Sequence, residues 1–137
     1  MRRIFALIIA TVAALSLSLT IPQSASALGG EWLGCHVLPG TYNYSTYCHS
    51  DNAPPLYENY EVTFMVQAES APSTYSWAIP SIYQSNVSTG CTSTTNWCTL
   101  SIPESGDTRF WVSVTLTQGS ATVTLSARAH LAACFYC

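Results

Sequence analysis

The most regular pattern along the chain lies in its last third. Phe110, Val112, Val114 and Leu116 alternate with Arg109, Trp111, Ser113, Thr115 and Thr117. Further on, Val123, Leu125, Ala127, Ala129 and Leu131 alternate with Thr122, Thr124, Ser126, Arg128 and His130. Successive side chains of a strand point to opposite faces, so each run predicts a half-buried strand. Gly119-Ser120 between the runs predicts a two-residue hairpin turn. Such a turn sets Val112 opposite Ala127, Val114 opposite Leu125 and Leu116 opposite Val123. A slip of one residue would instead set apolar positions against polar ones. In this register Trp111 faces Arg128 and Arg109 faces His130, all on the outward side.

Upstream the same period recurs in shorter runs. Val62, Phe64 and Val66 share one face of a strand over Glu61 to Gln67, and Ser70-Ala71-Pro72-Ser73 breaks it. Tyr75, Trp77 and Ile79 mark a second strand ending at Pro80. Leu100 and Ile102 mark a third, stopped by Pro103 and the turn at Glu104-Ser105-Gly106-Asp107. Residues 81–97 read as loop, with a short strand near Ile82 and Tyr83. Residues 28–59 read as an irregular segment with one short strand over Thr41 to Cys48 and a turn at Asn52-Ala53-Pro54-Pro55. Beyond residue 27, no stretch of ten or more residues carries a helical period. The pattern predicts a single all-β domain over residues 28–137, a small disulfide-stapled antiparallel sandwich with its main strands in 60–131.

The chain begins differently. Arg2 and Arg3 precede an apolar stretch from Ile4 to about Ile21, followed by Pro22 and Ala25-Ser26-Ala27. That is the layout of a secretory signal peptide over residues 1–27, with cleavage expected after Ala27. Its removal leaves Arg109 and Arg128 as the firm cations, with no lysine, against seven carboxylates. Such a balance offers no basic patch for phosphates, so nucleic acid is excluded as a partner. Anionic membrane surfaces are disfavoured for the same reason once the signal is gone. The expected product is a secreted, extracellular monomer. Asn43 and Asn86 head two glycosylation sequons, which matter only in a eukaryotic secretory route.

Six cysteines, Cys35, Cys48, Cys91, Cys98, Cys134 and Cys137, follow the signal. An even count in a secreted chain predicts three disulfides, with fifteen possible pairings. Cys91 with Cys98 is the easiest pair, closing a short loop that carries Trp97.

The order of these runs resembles immunoglobulin-like and PKD-like sandwich modules of secreted bacterial proteins. The resemblance rests on Val62-x-Phe64-x-Val66, Tyr75-x-Trp77, the Cys-closed loop, Leu100-x-Ile102 and the paired terminal strands, roughly Glu58 to Leu131. It implies that Trp77 is the buried tryptophan of the third strand. The chain departs from antibody-type domains in having Phe64 and Val114 at strand centres where an inter-sheet disulfide would sit. In that topology the first and last strands can run parallel. This suggests pairing of Cys35 and Cys48 with Cys134 and Cys137, with local Cys35–Cys48 pairing nearly as good. Modules of this kind bind, space or stabilise and are rarely catalytic, although fold alone does not fix function.

The candidate chemistry is sparse. Cys35-His36 and Cys48-His49 evoke a metal site, but adjacent strand residues point to opposite faces and an oxidising compartment favours disulfides. Cys134-Phe135-Tyr136-Cys137 has redox spacing without a following helix to stabilise a thiolate. No Gly-x-Ser-x-Gly elbow occurs, and Glu61 and Glu69 lie on the polar face of one strand. The reading is therefore of a non-enzyme without cofactor or metal: a binding or structural module contacting an extracellular protein or cell-surface polysaccharide. Trp111, Arg128, Arg109 and Trp97 are its candidate contact residues. The alternative is a small secreted enzyme inhibitor presenting the 91–98 loop.

Overall fold

The computed structural model describes residues 28–50, 59–103 and 106–132. The signal segment, the Asn52–Pro55 turn and Cys134 and Cys137 lie outside the described residues. The described residues form eight strands: β1 (Trp32–Leu38), β2 (Tyr47–His49), β3 (Asn59–Gln67), β4 (Thr74–Ala78), β5 (Val87–Gly90), β6 (Trp97–Pro103), β7 (Thr108–Gln118) and β8 (Ala121–Leu131). They make two four-stranded sheets, ordered β1-β3-β6-β5 and β2-β8-β7-β4. All neighbours are antiparallel except β2, which runs parallel to β8. This is the A-B-E-D over G-F-C order of an immunoglobulin-type sandwich, with β2 added beside the last strand.

The β7–β8 register is the one the hairpin pattern dictates. Val112 pairs with Ala127, Val114 with Leu125, Leu116 with Val123 and Trp111 with Arg128. Gly119 adopts φ 61°, which suits the first central position of a type II′ turn. An L side chain is strained there, so Gly119→Ala is expected to cost about 1–2 kcal/mol. Urea unfolding would show it as a lower midpoint at unchanged slope.

The core lies between the sheets. Val62, Phe64, Leu100, Val112, Val114, Leu116, Ala127 and Ala129 are fully inaccessible. Cys35, Phe64 and Cys98 form one inward row across β1, β3 and β6. The Phe64 ring meets Phe110 of the facing sheet edge-on, with centroids 6.2 Å apart. Aromatic packing thus occupies the middle of the sandwich.

Four sequence expectations need correction. The described part of 28–59 holds a strand beyond the one expected: β1 is a seven-residue strand with Leu33, Cys35 and Val37 buried. Its alternation is hidden by Gly34 on the outer face and by apolar residues at both ends. Residues 81–97 are not mostly loop: a 3₁₀ helix over Ser81–Asn86 leads into β5, and Trp97 opens β6. Cys35 bonds to Cys48 rather than to the C-terminal cysteines, so this bridge joins β1 of one sheet to β2 of the other. Trp77 is half-buried, because β4 edges its sheet, and its Nε1 donates to the Thr95 carbonyl at 3.2 Å.

The second disulfide, Cys91–Cys98, is the expected one. Its loop lies across the margin of the sandwich where β4 and β5 are the outer strands. Tyr75 N–H donates to the Ser93 carbonyl at 3.0 Å, Val66 N–H to Asn96 at 2.8 Å and Cys91 N–H to Trp97 at 2.9 Å. On the opposite margin, Cys35 and Ser45 exchange backbone hydrogen bonds of 2.7 and 3.1 Å, and Val37 N–H donates to Thr41 at 3.0 Å.

Candidate functional site

The outer face of the β2-β8-β7-β4 sheet carries the candidate site. Phe110, Val112 and Val114 point inward, so Arg109, Trp111 and Ser113 point out. The same alternation on β8 presents Arg128 and His130 beside them. Parallel pairing of β2 then sets Tyr47 beside Arg128 and His49 beside His130.

At the centre is the Arg128 guanidinium. It lies 5.6 Å from the Tyr47 ring centroid and 5.9 Å from that of Trp111. Trp111 is 58% exposed and Tyr47 46%, so both rings bound the cation and still face solvent. Cation–π attraction holds the guanidinium between them without consuming its N–H donors. Among the described residues no carboxylate forms an ion pair with Arg128.

Next to it is a polar chain. Asp107 pairs with Arg109 at 3.3 Å and with Nε2 of His130. The other ring nitrogen of His130 is 3.1 Å from the Tyr47 hydroxyl. In the tautomer whose Nε2–H donates to Asp107, Nδ1 accepts a hydrogen bond from the Tyr47 hydroxyl. This chain fixes the position of the phenol and, through its ring, of Arg128. Alongside Trp111 the sheet continues as a hydroxyl ladder, with Ser113–Ser126 at 2.8 Å and Thr115–Thr124 at 2.9 Å.

The structure therefore brings together Trp111, Arg128 and Arg109, as the hairpin register requires. It separates them from Trp97. That residue points outward from β6, on the other sheet, and so lies on the opposite side of the sandwich. Tyr47, His130 and Asp107 complete the site. Tyr47 arrives through a parallel pairing with a strand 80 residues away, as the Cys48 Sγ to Arg128 carbonyl contact also reflects. No local pattern reports that.

Several other chemistry-bearing residues have structural partners. Cys35 and Cys48 are consumed in their disulfide, and His36 stacks on Tyr44 with centroids 4.7 Å apart. Burial raises the Tyr44 phenol above its ordinary pKa, so it stays uncharged at neutral pH. The Asn86 side-chain amide donates to the Ser101 carbonyl at 2.9 Å. Among the described residues no group of three or more His, Cys, Asp or Glu could hold a metal ion. No family model, curated protein or solved structure matches the chain.

Proposed function

We propose that this is a secreted, non-catalytic binding module that contacts a carboxylate-bearing cell-surface polysaccharide through the Trp111–Arg128–Tyr47 face. One observation carries the reading: a guanidinium held between two solvent-facing aromatic rings, with no acidic partner among the described residues. Arginine presents a planar fork of donors that matches a carboxylate bidentately. Trp111 and Tyr47 supply apolar ring faces on either side, suited to the C–H face of a sugar. The Asp107–His130–Tyr47 chain holds the geometry before a ligand arrives, which lowers the ordering cost of binding. Two internal disulfides suit the oxidising environment that secretion implies.

The 91–98 loop is less suited to contact. Its Ser93, Thr95 and Asn96 carbonyls already accept hydrogen bonds within the domain. This favours the sheet face over the loop, and a binding module over an inhibitor.

The test is titration calorimetry with a soluble polyuronate and with an uncharged glucan as its control. Wild type is expected to bind the polyuronate, more weakly as salt rises. Trp111→Ala and Arg128→Gln should each weaken binding by about tenfold or more. Equal affinity for both polymers, or variants that bind like wild type, would set this reading aside and turn the search to protein partners.

A further inference from the structure

The opposite side of the sandwich carries a second group of aromatic side chains that the Arg128 face does not use. Trp32 and Trp97 point outward from β1 and β6, and each is 38% exposed. Each is laid against a glycine. A Cβ on Gly34 would lie 2.5 Å from Cζ3 and 3.1 Å from Cη2 of Trp32, so the benzo ring is folded down along its own strand. A Cβ on Gly90 would lie 2.7 Å from Cδ1 and 2.8 Å from Nε1 of Trp97, so this indole leans toward β5. Glycine within a strand often marks a close approach of this kind. Both indoles consequently lie along the sheet instead of standing upright from it.

Gly34, Met65 and Trp97 are paired across β1, β3 and β6. The Trp32 ring, the Met65 side chain and the Trp97 ring therefore share one cross-strand band. At about 4.8 Å per strand the two indoles are separated by roughly 10–15 Å, the length of a short oligosaccharide. The band has no formal charge. In the next row, Thr63 and Thr99 are buried and hydrogen-bonded to each other at 3.0 Å, so their hydroxyls are already paired. A shallow depression lined by Gly30, Trp32, Gln67, Ala68 and Glu69 adjoins one end, with an amide and a carboxylate that can meet sugar hydroxyls.

We propose that this face is a second binding surface, which takes the ring faces of a neutral polysaccharide through Trp32 and Trp97. Charge decides the class of occupant. Arg109 and Arg128 both lie on the other side of the molecule, so among the described residues no arginine here would answer an anionic ligand. Nor could this face offer one to the Glu61 and Glu69 carboxylates of a second copy. A flat, uncharged aromatic surface bordered by an amide and a carboxylate fits the C–H faces and hydroxyls of uncharged pyranose rings. With one surface on each side, the domain becomes a bridge between two polymers.

The experiment is retention of the disulfide-bonded protein on insoluble cellulose and chitin at high salt, where binding through Arg128 is screened. Wild type should be retained on at least one. Trp32→Ala and Trp97→Ala should each weaken retention by about tenfold. Gly34→Ala keeps both indoles but lifts the Trp32 ring and also presses on Tyr44 Cβ, 3.0 Å from the added Cβ, and should weaken retention several-fold; Trp32→Phe should restore much of what Trp32→Ala loses. Arg128→Gln should be retained like wild type here while losing the polyuronate, so the two surfaces fail separately. Thermal unfolding checks that each variant is folded; if Trp32→Ala is not, Gly34→Ala and Trp97→Ala decide. The proposal is overturned if wild type is retained on neither polymer, or if the indole variants match it. It is equally overturned if sedimentation shows a dimer that Trp97→Ala dissolves.

Discussion

Phe64→Ala is expected to destabilise the domain by about 3–5 kcal/mol, the range for emptying a buried aromatic site. Phe64 is fully inaccessible, and its in-register neighbours are Cys35 on β1 and Cys98 on β6. The ring is therefore flanked by one half of each disulfide and capped by Phe110 from the facing sheet. Neither bridge can move inward to fill the gap, since each is tied at its other end. The cavity should persist and the cost should fall at the upper end of the range. For a domain of this size each kcal/mol corresponds to about 4–8 °C in Tm, so the melting point should drop by more than 10 °C. Phe64→Leu, which retains most of the volume, should lose less than half as much. Calorimetry of the oxidised protein would check both, and a loss below about 1 kcal/mol would show that the core collapses around the site.

The second large effect concerns the bridge between the sheets. Replacing Cys35 and Cys48 together by alanine should cost about 3 kcal/mol on the chain-entropy model, against about 2.5 kcal/mol for the shorter Cys91–Cys98 loop. The two losses should differ in kind. β2 is only three residues long and contributes Tyr47 to the Arg128 site. Without Cys48 anchored to β1, the strand is held mainly by its parallel pairing with β8. Polyuronate affinity should therefore fall several-fold in the Cys35/Cys48 double variant, even at temperatures where it is fully folded. In the Cys91/Cys98 double variant it should be unchanged. Equal affinity in both would mean that Tyr47 keeps its place without the bridge.

How much of this was legible in the sequence follows the distance over which each contact acts. The β7–β8 hairpin could be read to the exact pairing, because a period of two and a two-residue turn are both local. Trp111, Arg128 and Arg109 came with it. β1 is not legible in the sequence, although Leu33, Cys35 and Val37 alternate correctly. Gly34 and Trp32 break the polar side of its pattern because they serve the outer face, where glycine makes room for an indole. Tyr47 and the Cys35–Cys48 pairing depend on β1 turning back and laying β2 beside β8. That is a matter of topology, and spacing singles out only the short Cys91–Cys98 loop among the fifteen possible pairings. The depth of Trp77 is not legible either, because its position in the strand says nothing about whether the strand is central or at an edge.

The hydrogen bonds along the margins have a consequence for how this chain behaves in company. Extended β proteins of low charge tend to add strand to strand through unpaired edges. Here Ser45 and Thr41 occupy the outer side of β1, the 91–98 loop lies along β4, β2 has three residues, and β5 has four with a register shift. Among the described residues, no long, straight ribbon of free amides is left on either sheet. A chain with two arginines and no lysine beyond its first three residues can thus resist templated aggregation through the shape of its borders, where other proteins use lysine.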